Sequence, residues 1–118
     1  MDLTSATFGD SDAVSAGDEL ICIGNPAEGE PFSTVSGTVL NLDDELRQKA
    51  DRRHRFIASD APVISGYSGG PVFNVKGEMI GLSSAAYVED LSAYDFDYLS
   101  LIIPVNRVRE KIEAAIKQ

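Results

Sequence analysis

The chain has one cysteine and one histidine among its 118 residues, and its first 46 residues contain no lysine or arginine. A lone cysteine excludes an internal disulfide. Cys22, flanked by apolar neighbours in Leu20-Ile21-Cys22-Ile23, reads as a small buried hydrophobe rather than a reactive thiol. No cluster has the spacing of a zinc or calcium site, and no glycine loop precedes a helix as phosphate cradles require, so neither a metal nor a cofactor is expected. No apolar run approaches the ~18–20 residues of a membrane span, and Met1-Asp2-Leu3-Thr4 lacks the basic and apolar regions of a signal peptide. The ten acidic residues of positions 1–46 are unopposed and the net charge is −9, which disfavours general binding to nucleic-acid phosphates. The one basic cluster, Arg47, Lys49, Arg52, Arg53 and Arg55, follows Asp43-Asp44-Glu45 and is interrupted by Asp51. It reads as a solvated charged loop.

The length and a hydrophobic content of 43% against 25% charged residues suit one domain with a real core. Gly, Pro and Asn punctuate the sequence about every ten residues, with runs of Val, Ile, Leu and Phe between them, the spacing of an all-β domain. Strands are expected over 19–24, 33–42, 55–59, 71–75, 78–86 and 98–103, and six strands in so short a chain suggest a closed barrel. Asn74-Val75-Lys76-Gly77 supplies the residues of a tight hairpin turn, so the fourth and fifth strands should pair antiparallel. Gly37, inside an alternating run, marks a bend or bulge. One helix is expected at the C-terminus, started by Pro104 with Asn106 as a possible cap, facing Val105, Val108, Ile112, Ala115 and Ile116 inward. Residues 43–54 and 87–97 are expected as long loops, the second an ordered surface loop with interleaved acidic and aromatic residues.

Three glycines surround one serine in Gly66-Tyr67-Ser68-Gly69-Gly70-Pro71. Acyl transfer needs an exposed, activated hydroxyl and backbone N–H groups aimed at the oxygen that becomes negative. Glycine at position 66 lets the chain turn sharply and direct the Gly66 and Ser68 amides into one small oxyanion hole. Alone, Gly-x-Ser-x-Gly is a weak signal, since a tight glycine turn can contain a serine by chance. The nucleophile elbow of α/β-hydrolases needs a helix directly after the serine, and here Pro71-Val72-Phe73-Asn74 opens a strand instead.

The serine segment, with Phe56-Ile57-Ala58-Ser59-Asp60-Ala61 before it and Gly77-Glu78-Met79-Ile80-Gly81-Leu82-Ser83-Ser84-Ala85 after it, resembles the C-terminal barrel of trypsin-like serine proteases of the HtrA/Deg branch. Gly9-Asp10-Ser11-Asp12-Ala13-Val14, Ile23-Gly24-Asn25-Pro26, Val35-Ser36-Gly37 and Ile103-Pro104-Val105-Asn106 fall in the family's order, so the resemblance covers most of residues 8–116. It implies a six-stranded antiparallel Greek-key barrel, one half of a chymotrypsin-like double barrel, with a C-terminal α-helix. It also implies that Ser68 is the nucleophile, that the Gly66 and Ser68 amides form the oxyanion hole, and that Ser84 and Ala85 lie on the strand that pairs with substrate backbone. Val63, Ala86 and Tyr87 then line the primary specificity pocket, which carries no acidic group and suits a small or medium aliphatic side chain.

Two departures stand out: Tyr67 replaces the family's usual Asn beside the oxyanion hole, and the 43–54 loop, which matches a region that helps switch the active site, is highly charged. In the family the histidine base and its aspartate come from a preceding N-terminal barrel, and the only histidine here, His54, lies in the charged loop. The expectation is an excised half of a serine endopeptidase, inactive alone. Its partners are a polypeptide substrate and the missing N-terminal barrel, with self-association through an exposed barrel face. The family implies an extracytoplasmic or periplasmic setting. The alternative is an inactive, protease-like barrel used as a peptide-binding or regulatory module.

Overall fold

The computed structural model describes residues 7–24, 33–53, 55–63, 69–87 and 91–116. Its strands are β1 (Glu19–Gly24), β2 (Ser33–Thr38), β3 (Ile57–Ser59), β4 (Pro71–Phe73), β5 (Met79–Tyr87) and β6 (Leu99–Pro104). They form one sheet in the order β2-β1-β4-β5-β6-β3, with every neighbouring pair antiparallel. β1 shows why it lies as it does: Leu20, Cys22 and Gly24 are buried while Glu19 and Ile21 face out, so the two-residue period assigns one face to the core.

The sheet then closes on itself. Past the end of β2, Val39 bridges Ser59 of β3, the Leu40 N–H donates to the Ala58 carbonyl at 2.9 Å, and the Asp60 N–H donates to the Thr38 carbonyl at 3.2 Å. β3 also lies beside β6, far from it in sequence, which is the long return of a Greek key. The result is a six-stranded antiparallel Greek-key barrel with a C-terminal helix, filled by Leu20, Cys22, Val39, Val72, Ile80 and Ile102 among others. Burying a side chain such as Leu20 or Ile102 contributes about 1.5–3 kcal/mol.

Several sequence expectations shift. The second strand ends at Thr38 rather than Leu42: Val39 keeps backbone hydrogen bonds to Gly17 and Asp18, just before β1, while it also bridges Ser59, and the Leu40 N–H then turns to the Ala58 carbonyl of β3. Arg55 and Phe56 stay outside β3, since their amides donate to the Asp51 carboxylate instead of a ladder. The 74–77 hairpin forms as expected, with the Asn74 Oδ1 accepting from the Lys76 and Glu78 amides and Gly77 at φ +80.

Gly37 is not a bulge, for the β1–β2 register runs through it unbroken; a Cβ there would lie 2.5 Å from the Ala61 nitrogen, so it is a point of close backbone approach. The bulges fall between Val72 and Phe73 and between Ser83 and Ala85.

The charged 43–54 segment is not a plain loop. Residues Asp44–Ala50 form α1, capped by the Asp43 carboxylate, which accepts from the Leu46 amide at 2.8 Å. Leu46 is buried with Leu42, Ala58 and Leu99 in a second cluster, on which the stacked rings of Tyr94 and Phe96 pack.

The C-terminal helix, α2 (Val105–Ile116), lies against β5 and β6 with Val105 buried and Val108 and Ile112 half-buried, while Ala115 faces out. Asn106 is inside the helix and not its cap. Its N–H donates to the Ser11 Oγ, its Oδ1 accepts from the Ser11 amide, and its Nδ2 donates to the Asp10 Oδ1 at 2.7 Å, tying α2 to the 3₁₀ turn Ser11–Ala13.

Candidate active site

Gly66, Tyr67, Ser68 and His54 lie outside the described residues, so the site is built from its two flanks. On the downstream flank, Gly69 adopts φ +85, a left-handed conformation that glycine takes without steric cost. Its N–H donates to the Ser83 carbonyl at 2.6 Å, and the Ser83 N–H donates back to the Gly70 carbonyl at 2.9 Å. This exchange continues the β4–β5 ladder, in which Pro71 faces Leu82, by one more rung.

Beyond Ser83 the two edges of β5 differ. On one edge Ala85, Ala86 and Tyr87 pair with Leu101, Ser100 and Leu99 of β6. On the other, the ladder with β4 has ended, and from Ser84 onward no strand among the described residues pairs with it. The bulge between Ser83 and Ala85 falls where the ladder stops. An unpaired edge of this kind offers backbone N–H and C=O groups to an extended chain.

On the upstream flank, the Asp60 carboxylate receives the Thr38 N–H at 2.6 Å and the Thr38 hydroxyl at 3.2 Å. The Ala61 N–H donates to the Ser59 Oγ at 2.9 Å, and the Val63 N–H reaches the Ala61 carbonyl at 2.7 Å, a tight three-residue turn. Val63 is 3% exposed and belongs to the barrel's main core cluster. Sequence reading missed the Asp60–Thr38 clasp. Its signal was an acidic residue closing a strand next to a buried alanine, facing a threonine that follows Gly37.

Behind the ladder, the Ser83 hydroxyl is buried with no hydrogen-bond partner among the described residues. Burial pushes the Cys22 thiol above its ordinary value, and the neighbouring Ser83 hydroxyl opposes this only in part. A cavity of about 330 Å³, lined by Asp10, Val14, Asp18, Leu20, Asn74 and Ile80 among others, lies at the hairpin end of β4, opposite the Gly69 end. It is separate from both flanks of the serine segment.

Residues 1–82 match the trypsin-like peptidase domain family. The chain belongs to the trypsin-like peptidases, in their HtrA/Deg branch. The HtrA/Deg relatives include the periplasmic serine endoprotease DegP of Escherichia coli strain K12, 36% identical over 89 residues, which are 75% of this chain and 18% of DegP. The serine protease Do-like HtrA of Lactobacillus helveticus is 27% identical over 115 residues, 97% of this chain and 28% of that protein. The chain thus spans less than a third of the length of these curated relatives. A solved structure of the HtrA-type protease AlgW with a decapeptide superposes with a TM-score of 0.69 at 23% identity, over 96% of this chain and 33% of that one. That superposition supports the fold of this HtrA/Deg barrel. No helix among the described residues is long and apolar enough to cross a membrane.

Proposed function

We propose that this chain is the C-terminal barrel of an HtrA-type serine endopeptidase, in which Ser68 attacks the scissile carbonyl and the Gly66 and Ser68 amides receive the resulting oxyanion. The proton leaving the hydroxyl goes to a histidine on a preceding N-terminal barrel, which then returns it to the leaving amine; water releases the acyl group by the same route. The observation that carries this reading is the β5 edge that no strand among the described residues pairs with from Ser84 onward, beginning where the Gly69–Ser83 rung ends. A polypeptide substrate would add there as a strand, against the backbone of Ser84 and Ala85. Val63, whose side chain is part of the core, would floor the specificity pocket, with Ala86 and Tyr87 completing it. With no acidic group among these three, cleavage should follow small or medium aliphatic residues rather than Lys or Arg.

The 118 residues alone are proposed to be inactive, since His54 is their only histidine and belongs to the segment that carries α1. In isolation, the outward Ile21, 37% exposed and paired with the half-buried Phe73, would favour self-association. By analogy with the periplasmic relatives, the parent protein would act outside the cytoplasm. The test is hydrolysis of an unfolded protein by the full-length protein. Turnover lost in Ser68→Ala, together with none from the 118-residue chain, is expected. Undiminished turnover in Ser68→Ala would contradict the assignment, and turnover by the short chain would contradict its dependence on a second barrel.

A further inference from the structure

We infer that the cavity at the hairpin end of β4 is a docking site for a basic segment of polypeptide, which seats one lysine or arginine side chain in it. The cavity holds about 330 Å³. Its floor is apolar: Leu20 and Ile80 are buried, and Val14 is half-buried beside them. Its rim is acidic. Asp10, Asp18 and Glu19 are exposed and Glu78 is half-buried, against one cation among the lining residues, Lys76 at the hairpin tip. The walls come from the 3₁₀ turn, the start of β1 and the β4–β5 hairpin, and the fold fixes all three. Ser11 of the turn is bound to Asn106 of α2, the Gly17 N–H donates to the Val39 carbonyl at 2.8 Å just before β1, and the Asn74 carboxamide closes the hairpin. The cavity is thus shaped by the fold itself, which lowers the cost of filling it.

The placing of the carboxylates selects the ligand. Asp18 accepts the Ser15 N–H through Oδ2, Glu78 accepts the Asn74 Nδ2 through Oε1, and Asp10 accepts the Asp12 N–H and the Asn106 Nδ2 through Oδ1. Each is held by one oxygen, and the other has no hydrogen-bond partner among the described residues. No three potential ligand side chains among those residues are placed to hold a metal ion. Negative charge spread round an opening, above an apolar floor, suits instead an organic cation on an aliphatic stem. The methylenes cover Val14, Leu20 and Ile80 while the head stays among the carboxylates. Three of the four rim carboxylates belong to positions 1–46, whose ten acidic residues are unopposed, and that field steers cations toward the cavity. Val75, also on the lining and 67% exposed, offers an apolar contact outside it. A chain that continues past its seated residue can use that contact, and a free amine cannot.

The test is fluorescence anisotropy of a labelled, end-blocked peptide of alternating lysine and alanine, titrated with full-length protein carrying Ser68→Ala so that the peptide stays whole. Binding is expected for this peptide and not for its glutamate–alanine counterpart. Adding Asp18→Asn with Glu19→Gln should weaken it by ~3–10-fold. Ala13→Phe keeps every charge and fills the cavity, and should weaken it by ~10-fold or more. Asp44→Asn with Glu45→Gln removes the same charge from α1, outside the cavity, and should change the affinity less than ~1.5-fold. A peptide with 2,4-diaminobutyrate in place of lysine keeps the charge on a stem two methylenes shorter, and should bind ~3-fold more weakly or worse. If Ala13→Phe does not fold, that peptide, which leaves the protein unaltered, decides between a seat in the cavity and attraction to surface charge. No binding of the lysine peptide, unchanged binding in Ala13→Phe, equal weakening by the α1 pair, or equal affinity for the short-stemmed peptide overturns the inference. Spermidine binding as tightly as the peptide would assign the cavity to a free polyamine and overturn the docking of a polypeptide. None of these readouts uses turnover, so the outcome is independent of the role proposed for Ser68.

Discussion

Asp51 is 4% exposed, and its carboxylate holds the Arg47 guanidinium at 2.9 Å, the Arg55 amide at 2.9 Å and the Phe56 amide at 3.0 Å. It ends α1 and starts the approach to β3, so one side chain joins two elements. Arg47 is itself mostly buried, and its Nε has no partner among the described residues. Asp51→Ala would strand a buried cation and two amides, which costs about 3–5 kcal/mol. A urea titration should show this as a lower midpoint with unchanged slope, and a loss below ~1 kcal/mol would mean that solvent replaces the carboxylate freely. Gly37 and Gly81 make the complementary point, that a missing side chain can be as specific as a present one. A Cβ on Gly81 would meet the Ile102 Cγ2 and the Ile103 carbonyl oxygen, each at 2.5 Å, so both strands approach there only because glycine is present.

The elements show which features local sequence announces. The hairpin of β4 and β5 was legible because Asn74 and Gly77 satisfy the turn by themselves, through the Asn74 carboxamide and a positive φ. α1 was not, because its seven residues bury one large side chain, Leu46, and its charges hide any apolar stripe. Its real signal was Asp43 three residues before Leu46, a cap that composition alone reads as one more acidic residue. α2 was legible in its position and inner stripe, but Asn106 was misjudged. Its bonds run to Asp10 and Ser11, more than ninety residues away, and no local rule anticipates such partners. That tie carries a pH dependence. The Asn106 carboxamide, and then the Asp12 N–H, hold the Asp10 carboxyl below its ordinary value. The stabilisation is therefore complete above the unfolded-state pKa, ~4, and is lost as the pH falls through the lower folded-state value. Asp10→Asn should flatten the acid limb of a plot of melting temperature against pH between about 5 and 2, most clearly at low salt since Asp10 is exposed. An unchanged acid limb would show that the tie does not favour the ionised form.

At the scale of the whole molecule, the barrel's closure and its candidate chemistry share one seam. Thr38 and Asp60 complete the ring of strands a few residues before the serine segment, while β5 supplies both the partner of Gly69 and Gly70 and an edge that no strand among the described residues pairs with. The number and approximate spans of the strands could be read from punctuation and alternation, their Greek-key arrangement only from the family resemblance, and the serine segment from its glycines. What the sequence could not reveal was how the upstream end of that segment is held, since Asp60 meets Thr38 only when the barrel closes, whereas the downstream rung of Gly69 and Gly70 with Ser83 extends the hairpin that the sequence announces. The proposed function stands on Ser68 being an activated nucleophile in the full-length protein. Its most direct measurement is treatment of that protein with a fluorophosphonate reagent, followed by mass spectrometry of the digested chain. The account predicts a phosphonyl adduct on the peptide containing Ser68 and none in Ser68→Ala; a wild-type protein left unlabelled, or labelled equally in both at another residue, would contradict it.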